Sequence, residues 1–162
     1  MKLKLITIML LLVAITVAAR LIAVFSDWNW AMKNSPNIII AHCGKQSPSS
    51  NHFNAPASDF SIKVLTVLKG ATNVVSARLL TDHELITGQN YLVFGYYDAG
   101  IYTAYEEFRI VPLGVNFSTN LISGKSLDDQ LQILFKLRRD QLNQEIQKDK
   151  EEKQRLEELP IK

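Results

Sequence analysis

Between residues 36 and 112, short apolar runs alternate with polar segments that are rich in turn-forming residues. The run 60–69 shows the two-residue period of a strand, with Phe60, Ile62, Val64, Thr66 and Leu68 on one face. Residues 98–100 (Asp-Ala-Gly) form a three-residue hairpin loop, because glycine tolerates a positive φ. The pattern predicts five strands: 38–43, 60–69, 74–80, 91–97 and 101–111.

Hairpins at the second and third strands and at the fourth and fifth favour a small closed barrel, because closure removes sheet edges. An open two-layer sheet is the alternative arrangement. The predicted fold class is mainly β: a five-stranded OB-fold-like barrel with an N-terminal membrane segment and a long C-terminal α-helix. The predicted boundaries are 1–25 for a signal peptide or anchor, 26–35 for a linker, 36–124 for the barrel and 125–162 for the helix.

The N-terminal segment has the pattern of a membrane signal. Lys2 and Lys4 precede an apolar stretch, and residues 5–25 would span about 31 Å as a helix at ~1.5 Å per residue. We expect this segment either to anchor the chain in a membrane or to be cleaved after Ala19. Trp28 and Trp30 follow, where an interfacial aromatic belt would lie, or they pack on the folded domain. Both alternatives predict that residues 31–162 lie outside the cytoplasm, in the cell envelope or secreted.

The C-terminal segment predicts a long charged helix. Ser126 and Asp129 fit an N-terminal capping box, and leucines then recur at helical spacing. Residues 125–162 contain nine basic and nine acidic side chains. We expect the first half to pack on the barrel and the second to project into solvent. We interpret the projecting half either as a solvated charged face or as an arm for partner docking or self-association.

Four short motifs resemble the netrin-like family, which includes the tissue inhibitors of metalloproteinases. They are Asn37-Ile38-Ile39-Ile40-Ala41, Val67-Leu68-Lys69-Gly70, Gly88-Gln89-Asn90-Tyr91-Leu92-Val93-Phe94 and Phe108-Arg109-Ile110-Val111-Pro112. The resemblance covers about residues 36–135 and implies an OB-fold barrel. The pattern also resembles that of bacterial envelope proteins. It does not imply protease inhibition, because the family's inhibitors chelate zinc through an N-terminal cysteine and this chain has no cysteine before Cys43.

Charge and cysteine content narrow the classes of function. Residues 26–124 carry six basic and seven acidic side chains, so the predicted barrel has no basic excess and nucleic acid is not an expected partner. A single cysteine excludes an internal disulfide and a cysteine-rich metal site. Cys43 is predicted to be a small buried hydrophobic residue, and His42 faces the other side of the strand.

Two groups of residues are candidates for binding a partner. All five tyrosines lie between residues 91 and 105. Tyr96, Tyr97, Tyr102 and Tyr105 could form an exposed platform, or they could pack across the strands. Phe53 and His52 lie in the 44–59 loop, which connects strands in a region that OB folds use for binding.

No catalytic residue, metal site or cofactor is predicted. The leading hypothesis is an exported, membrane-anchored, non-enzymatic module that binds an unidentified protein, with residues 5–25 in the membrane. One alternative is a metal-dependent or hydrolytic enzyme that uses His52, His83 and Asp82. Another is a binder of single-stranded nucleic acid or glycans, as many OB folds are.

Overall fold

The computed structural model describes residues 28–47, 58–105 and 109–157. The predicted membrane segment, the possible cleavage after Ala19, and the candidates His52 and Phe53 lie outside these residues. The elements in chain order are α1 (28–34), β1 (Asn37–Ser47), β2 (Ser58–Lys69), β3 (Ser76–Thr81), β4 (Asn90–Asp98), β5 (Ile101–Thr103), β6 (Ile110–Pro112), a 3-10 turn (Thr119–Leu121) and α2 (Leu127–Glu157).

Five strands close into a barrel in the order β1-β2-β3-β5-β4, with β4 pairing back to β1. All neighbours are antiparallel except β3 and β5, which are parallel. The sixth strand, β6, pairs with the first half of β4. The prediction of a mainly β chain with a closed five-stranded barrel and a long C-terminal helix is confirmed, and the open two-layer alternative is wrong.

The barrel interior is filled by one set of alternate strand residues. From β1 these are Ile39, Ala41 and Cys43, and Val93 and Tyr102 come from β4 and β5. Further interior side chains are Phe60, Ile62, Leu79, Tyr91, Ala104 and Ile110. Cys43 is buried, as predicted for a small hydrophobic residue.

A second core lies outside the barrel, between the strands and the two helices. Ile38, Ile40, Leu92 and Phe94 point to this side. Trp28, Ala31, Val111, Leu113, Ile122, Leu131 and Leu134 complete it. Both faces of β1 and β4 are therefore buried, which explains why β1 is a continuous apolar run rather than an alternating one.

The segment 26–35, predicted as a linker, contains the helix α1 at residues 28–34. Trp28 is only 3% exposed and stacks on Phe135 of α2. Apolar packing holds this segment against the barrel, so Trp28 cannot take part in an interfacial belt. Trp30, by contrast, is 48% exposed.

The register of β2 is less regular than the two-residue period suggests. Its pairing with β1 shifts between Ile38 and Ile39 and again between Ile40 and Ala41. Val67 therefore packs against the interior core and Leu68 against the outer one. Val64 remains on the interior side as predicted, whereas the prediction that Leu68 shares its face is wrong.

Several predicted strand boundaries also change, and the predicted three-residue loop 98–100 is shortened to two residues, because Asp98 pairs with Ile101. The predicted strand 101–111 is interrupted: β5 ends at Thr103, the Ala104 N–H donates to the Leu80 carbonyl, and β6 begins at Ile110. The third strand is Ser76–Thr81 rather than 74–80. The predicted 44–59 loop is shortened, because β1 continues to Ser47 and β2 begins at Ser58.

The long helix begins as predicted. The Asp129 N–H donates to Ser126 Oγ, and the Ser126 hydroxyl donates to the Asp129 carboxylate at 2.7 Å. Leu131 and Leu134 are buried, whereas residues 147–152 are exposed. Across the described ranges, no helix combines the length and the apolar character that a membrane span requires.

Candidate functional site

An open cleft of about 570 Å³ lies between α2, the 82–89 loop and the strands β4 and β6. Its volume falls in the range of roughly 300–1,000 Å³ that is typical of binding sites. The lining residues are His83, Glu84, Leu85, Ile86, Gln89, Tyr91, Ile110, Pro112, Gly114, Arg138, Gln141, Gln144, Glu145 and Lys148.

The floor of the cleft is apolar and contains one fixed hydroxyl. Ile110 and Pro112 from β6 lie beside Tyr91 from β4. The Tyr91 hydroxyl accepts a hydrogen bond of 2.8 Å from the Ile86 N–H, which ties the loop to the strand. Burial raises the pKa of Tyr91, although the Ile86 N–H partly opposes this effect. The tyrosine is therefore a neutral hydrogen-bonding group at neutral pH.

The loop wall is held in place by hydrogen bonds to the end of β1. The Gly88 N–H donates to the Cys43 carbonyl at 2.8 Å, and the Thr87 hydroxyl donates to the Gly44 carbonyl at 3.0 Å. Ile86, at 61% exposure, is left at the rim of the cleft with its side chain in solvent. Because Ile86 lines the cleft, its aliphatic side chain is available to an apolar group that enters the cleft.

The buried side chain of Asn90 supports the turn that follows β6. Asn90 Oδ1 lies 2.9 Å from His42 Nδ1, and the Asn90 side-chain nitrogen donates to the Val115 carbonyl at 3.3 Å. This contact joins the His42 ring to the side-chain amide of Asn90. Val115 itself is exposed, next to the lining residue Gly114.

The helical wall is polar. Gln141 donates to the Leu113 carbonyl at 3.2 Å, which fastens α2 to the segment after β6. Arg138 and Glu145 form an ion pair of 3.0 Å along the same face of the helix. Gln144 and Lys148 complete this wall.

The charges around the cleft are mixed. Arg138 and Lys148 are balanced by Glu84 and Glu145, and the amides of Gln89, Gln141 and Gln144 lie among them. This combination of an apolar floor, paired charges and amide groups resembles the core and rim of a protein–protein interface. It lacks the basic excess that a phosphate backbone requires.

The predicted tyrosine platform is not assembled. Tyr102 is fully buried in the barrel and packs on Tyr97 with ring centroids 4.7 Å apart, so the cross-strand alternative holds for this pair. The proposed binding role of Tyr102 is wrong, because its side chain cannot reach a partner. Tyr105 is half-buried, and Tyr96 is 54% exposed.

The exposed ring of Tyr96 instead packs beside Arg109, which also contacts Trp30. The Arg109 guanidinium carbon lies 5.2 Å from the centre of the Trp30 ring and 5.8 Å from that of Tyr96. Arg109 is itself buried, so the two exposed rings cover its charged group.

Of the three titratable candidates His52, His83 and Asp82, the structure describes His83 and Asp82. His83 Nε2 lies 3.4 Å from Asp82 Oδ1, and the His83 backbone N–H donates to Thr81 Oγ1. No three His, Cys, Asp or Glu side chains are grouped to hold a metal ion in the part of the chain that the structure describes. Burial raises the pKa of the Cys43 thiol to about 11, which makes it a poor nucleophile at neutral pH.

Sequence reasoning missed most of the cleft. Of the residues that line the cleft, the sequence analysis named only His83 as a candidate, and it did so for a metal-dependent or hydrolytic enzyme rather than for partner binding. Two signals were present: Ile86 is an aliphatic residue within a polar segment, and Arg138, Gln141, Glu145 and Lys148 recur at helical spacing. Neither signal identifies the strand edge against which the helix packs.

Comparison with protein-family models gave no match, and comparison with curated proteins gave none either.

Proposed function

We propose that this protein is an exported, membrane-anchored, non-enzymatic module that binds a segment of a partner protein in the cleft between α2 and the 82–89 loop. The observation that carries the proposal is the cleft itself, with its apolar floor and the exposed Ile86 at its rim.

The chemistry of the cleft favours a polypeptide as the occupant. A peptide offers apolar side chains for the floor at Ile110 and Pro112 and for Leu85 in the loop wall, and backbone amides for the glutamines of α2. Its charged side chains would complement the mixed rim. A polyanion would meet Glu84 and Glu145, and their negative charge weakens binding of phosphate groups.

The fold and the N-terminal pattern support the rest of the proposal. The closed five-stranded barrel and the four short motifs support an OB fold of netrin-like type. Because fold does not determine function, this similarity adds no activity to the proposal. The apolar stretch 5–25 supports export and anchoring.

Substitution of the rim residue tests the proposal. The full chain, an Ile86→Asp variant and a Val75→Asp variant are used to capture proteins from an envelope extract of the source cell. Ile86 and Val75 are both exposed aliphatic residues, at 61% and 71%, but only Ile86 lines the cleft. We expect a partner that the wild type and Val75→Asp retain and that Ile86→Asp loses. Equal capture by all three proteins would refute the cleft as the binding site.

Folding of the variants is checked independently. The Ile86 side chain is exposed, and its contribution to the Tyr91 hydrogen bond comes from the backbone N–H, which aspartate also supplies. The far-ultraviolet circular dichroism and thermal midpoint of Ile86→Asp should therefore match those of the wild type. A loss of capture can then be assigned to the cleft surface.

A further inference from the structure

Trp30, Tyr96 and Arg109 form a surface that we call the aromatic face. Trp30 comes from α1, Tyr96 from β4, and Arg109 precedes β6, so three separate segments meet here. Both rings are about half exposed. The exposed Lys33 follows Trp30 by three residues in α1 and adds a second basic side chain on the same side of that helix.

The aromatic face lies close in sequence to the predicted membrane anchor. Trp30 follows Phe25, at the end of the apolar stretch, by only five positions. Even a fully extended chain covers at most ~3.6 Å per residue, so Trp30 lies within about 18 Å of the end of that stretch. If residues 5–25 span the bilayer, the aromatic face cannot be far from the lipid surface.

The composition of this face matches the membrane interface. Tryptophan and tyrosine rings concentrate at the headgroup level because they are amphipathic, and an exposed basic side chain such as Lys33 can pair there with lipid phosphates, whereas Arg109 is buried beneath the rings. Trp28 does not contribute, because it is buried against Phe135. Tyr96 lies 66 residues after Trp30 in sequence, and only the folded barrel brings the two together.

We propose that the aromatic face rests on the phospholipid headgroups and fixes the orientation of the barrel on the membrane. This inference depends on the proposed anchoring by residues 5–25.

The orientation has a consequence for the cleft. Tyr96 marks the aromatic face, and Tyr91, five residues earlier in β4, lines the cleft. At ~3.3 Å per residue, the two positions are about 17 Å apart along the strand. With the Tyr96 end against the lipid, the cleft is held away from the membrane and open to a partner in the aqueous compartment.

Spin labelling of the full chain in vesicles of phosphatidylcholine and phosphatidylglycerol tests the inference. One variant, Tyr96→Cys, places the label on the aromatic face, and a matched variant, Gln144→Cys, places it on the helical wall of the cleft. Both positions are exposed, and the native Cys43 is buried and should not react. Collision rates with oxygen and with a water-soluble nickel chelate report the depth of each label.

We expect the label at position 96 to lose collisions with the nickel chelate and to gain collisions with oxygen relative to the label at position 144. Water-like rates at both positions in a chain that floats with the vesicles would overturn the inference and leave the anchor intact. A chain that does not float would overturn both. Spin–spin broadening at position 96 that disappears on dilution with unlabelled protein would also overturn it, because a second copy would then occupy the face.

Discussion

The ring of Trp28 stacks on that of Phe135, with centroids 5.0 Å apart and planes inclined by 26°. This contact joins α1, near the start of the described chain, to α2, more than a hundred residues later. Both helices cover the outer faces of β1 and β4, so the stack closes the second hydrophobic core. The N-terminal approach to the barrel is therefore part of the folded domain.

The Trp28–Phe135 contact predicts a large effect on stability. Trp28→Ala should lower the free energy of unfolding by about 3–5 kcal/mol, because it empties a buried aromatic site. Trp30→Ala, in the same helix but half exposed, should lower it by less than about 1 kcal/mol. Urea denaturation of both variants measures the difference. Similar losses for the two would contradict the assignment of Trp28 to the core.

The buried thiol of Cys43 predicts a dependence of stability on alkaline pH. Burial raises its pKa from an ordinary value of 9.0 to about 11, so the native state retains a proton that the unfolded chain releases. The stabilising contribution is complete below about pH 9 and is lost as the pH rises to about 11. The wild type should therefore lose stability over this window more steeply than Cys43→Ala.

The alanine variant serves as the reference for this measurement. Burial also raises the pKa values of Tyr91 and Tyr102, and both tyrosines are present in the two proteins. The Cys43 thiolate adds a smaller electrostatic contribution to the raised pKa of Tyr91, so the difference between the two profiles includes this coupling. Parallel pH profiles for the wild type and Cys43→Ala would show that the thiol does not titrate differently in the folded state.

The ion pair across β2 and β3 predicts an asymmetric response to substitution. Asp59 is buried, whereas the Arg78 side chain is about half exposed and donates through Nε and its terminal nitrogen to the Asp59 carboxylate. Arg78→Ala leaves a buried carboxylate without this partner, but Asp59→Ala leaves a guanidinium that water can solvate. Arg78→Ala should therefore lower the thermal midpoint more than Asp59→Ala. The reverse order would mean that the carboxylate is well solvated.

Gly95 marks a close approach of two strands within the barrel. A Cβ at this position would lie 2.7 Å from the carbonyl oxygen of Thr103 in β5, a backbone atom that cannot move aside easily. Gly95→Ala should lower the free energy of unfolding by about 1–3 kcal/mol through overpacking. Gly100→Asn is the control: that site has open space and a φ of 84°, which asparagine tolerates, so the loss should be below about 1 kcal/mol.

The sequence predicted those parts of the fold that depend on local pattern. β-branched runs identify β1 and the two-residue period identifies most of β2, and Ser126 with Asp129 marks the start of α2. It did not predict the break between β5 and β6, because the residues that follow Thr103 continue a strand-like pattern. The Ala104 N–H still donates to the Leu80 carbonyl as the last bond of the β3–β5 ladder, and only the tertiary pairing of β4 with β6 shows that a second strand begins later.

The candidate site was less predictable, for a related reason. The cleft combines the loop around Ile86, the strand at Ile110 and the helix at Gln144, and only packing brings these segments together. The tyrosine cluster shows the converse: proximity in sequence suggested one surface, but Tyr96 points outward while Tyr97 and Tyr102 pack towards the interior. Strand alternation requires this division, and it leaves one exposed ring rather than a platform.

Site-specific photo-crosslinking in the source cell tests the central claim most directly. A benzophenone amino acid replaces Gln144 on the helical wall of the cleft, and the same residue replaces Val75, which is exposed but does not line the cleft, in a matched variant. The account predicts a discrete protein adduct from position 144 that Ile86→Asp abolishes and that position 75 does not give. The same adducts from both positions, or no protein adduct at position 144, would contradict it.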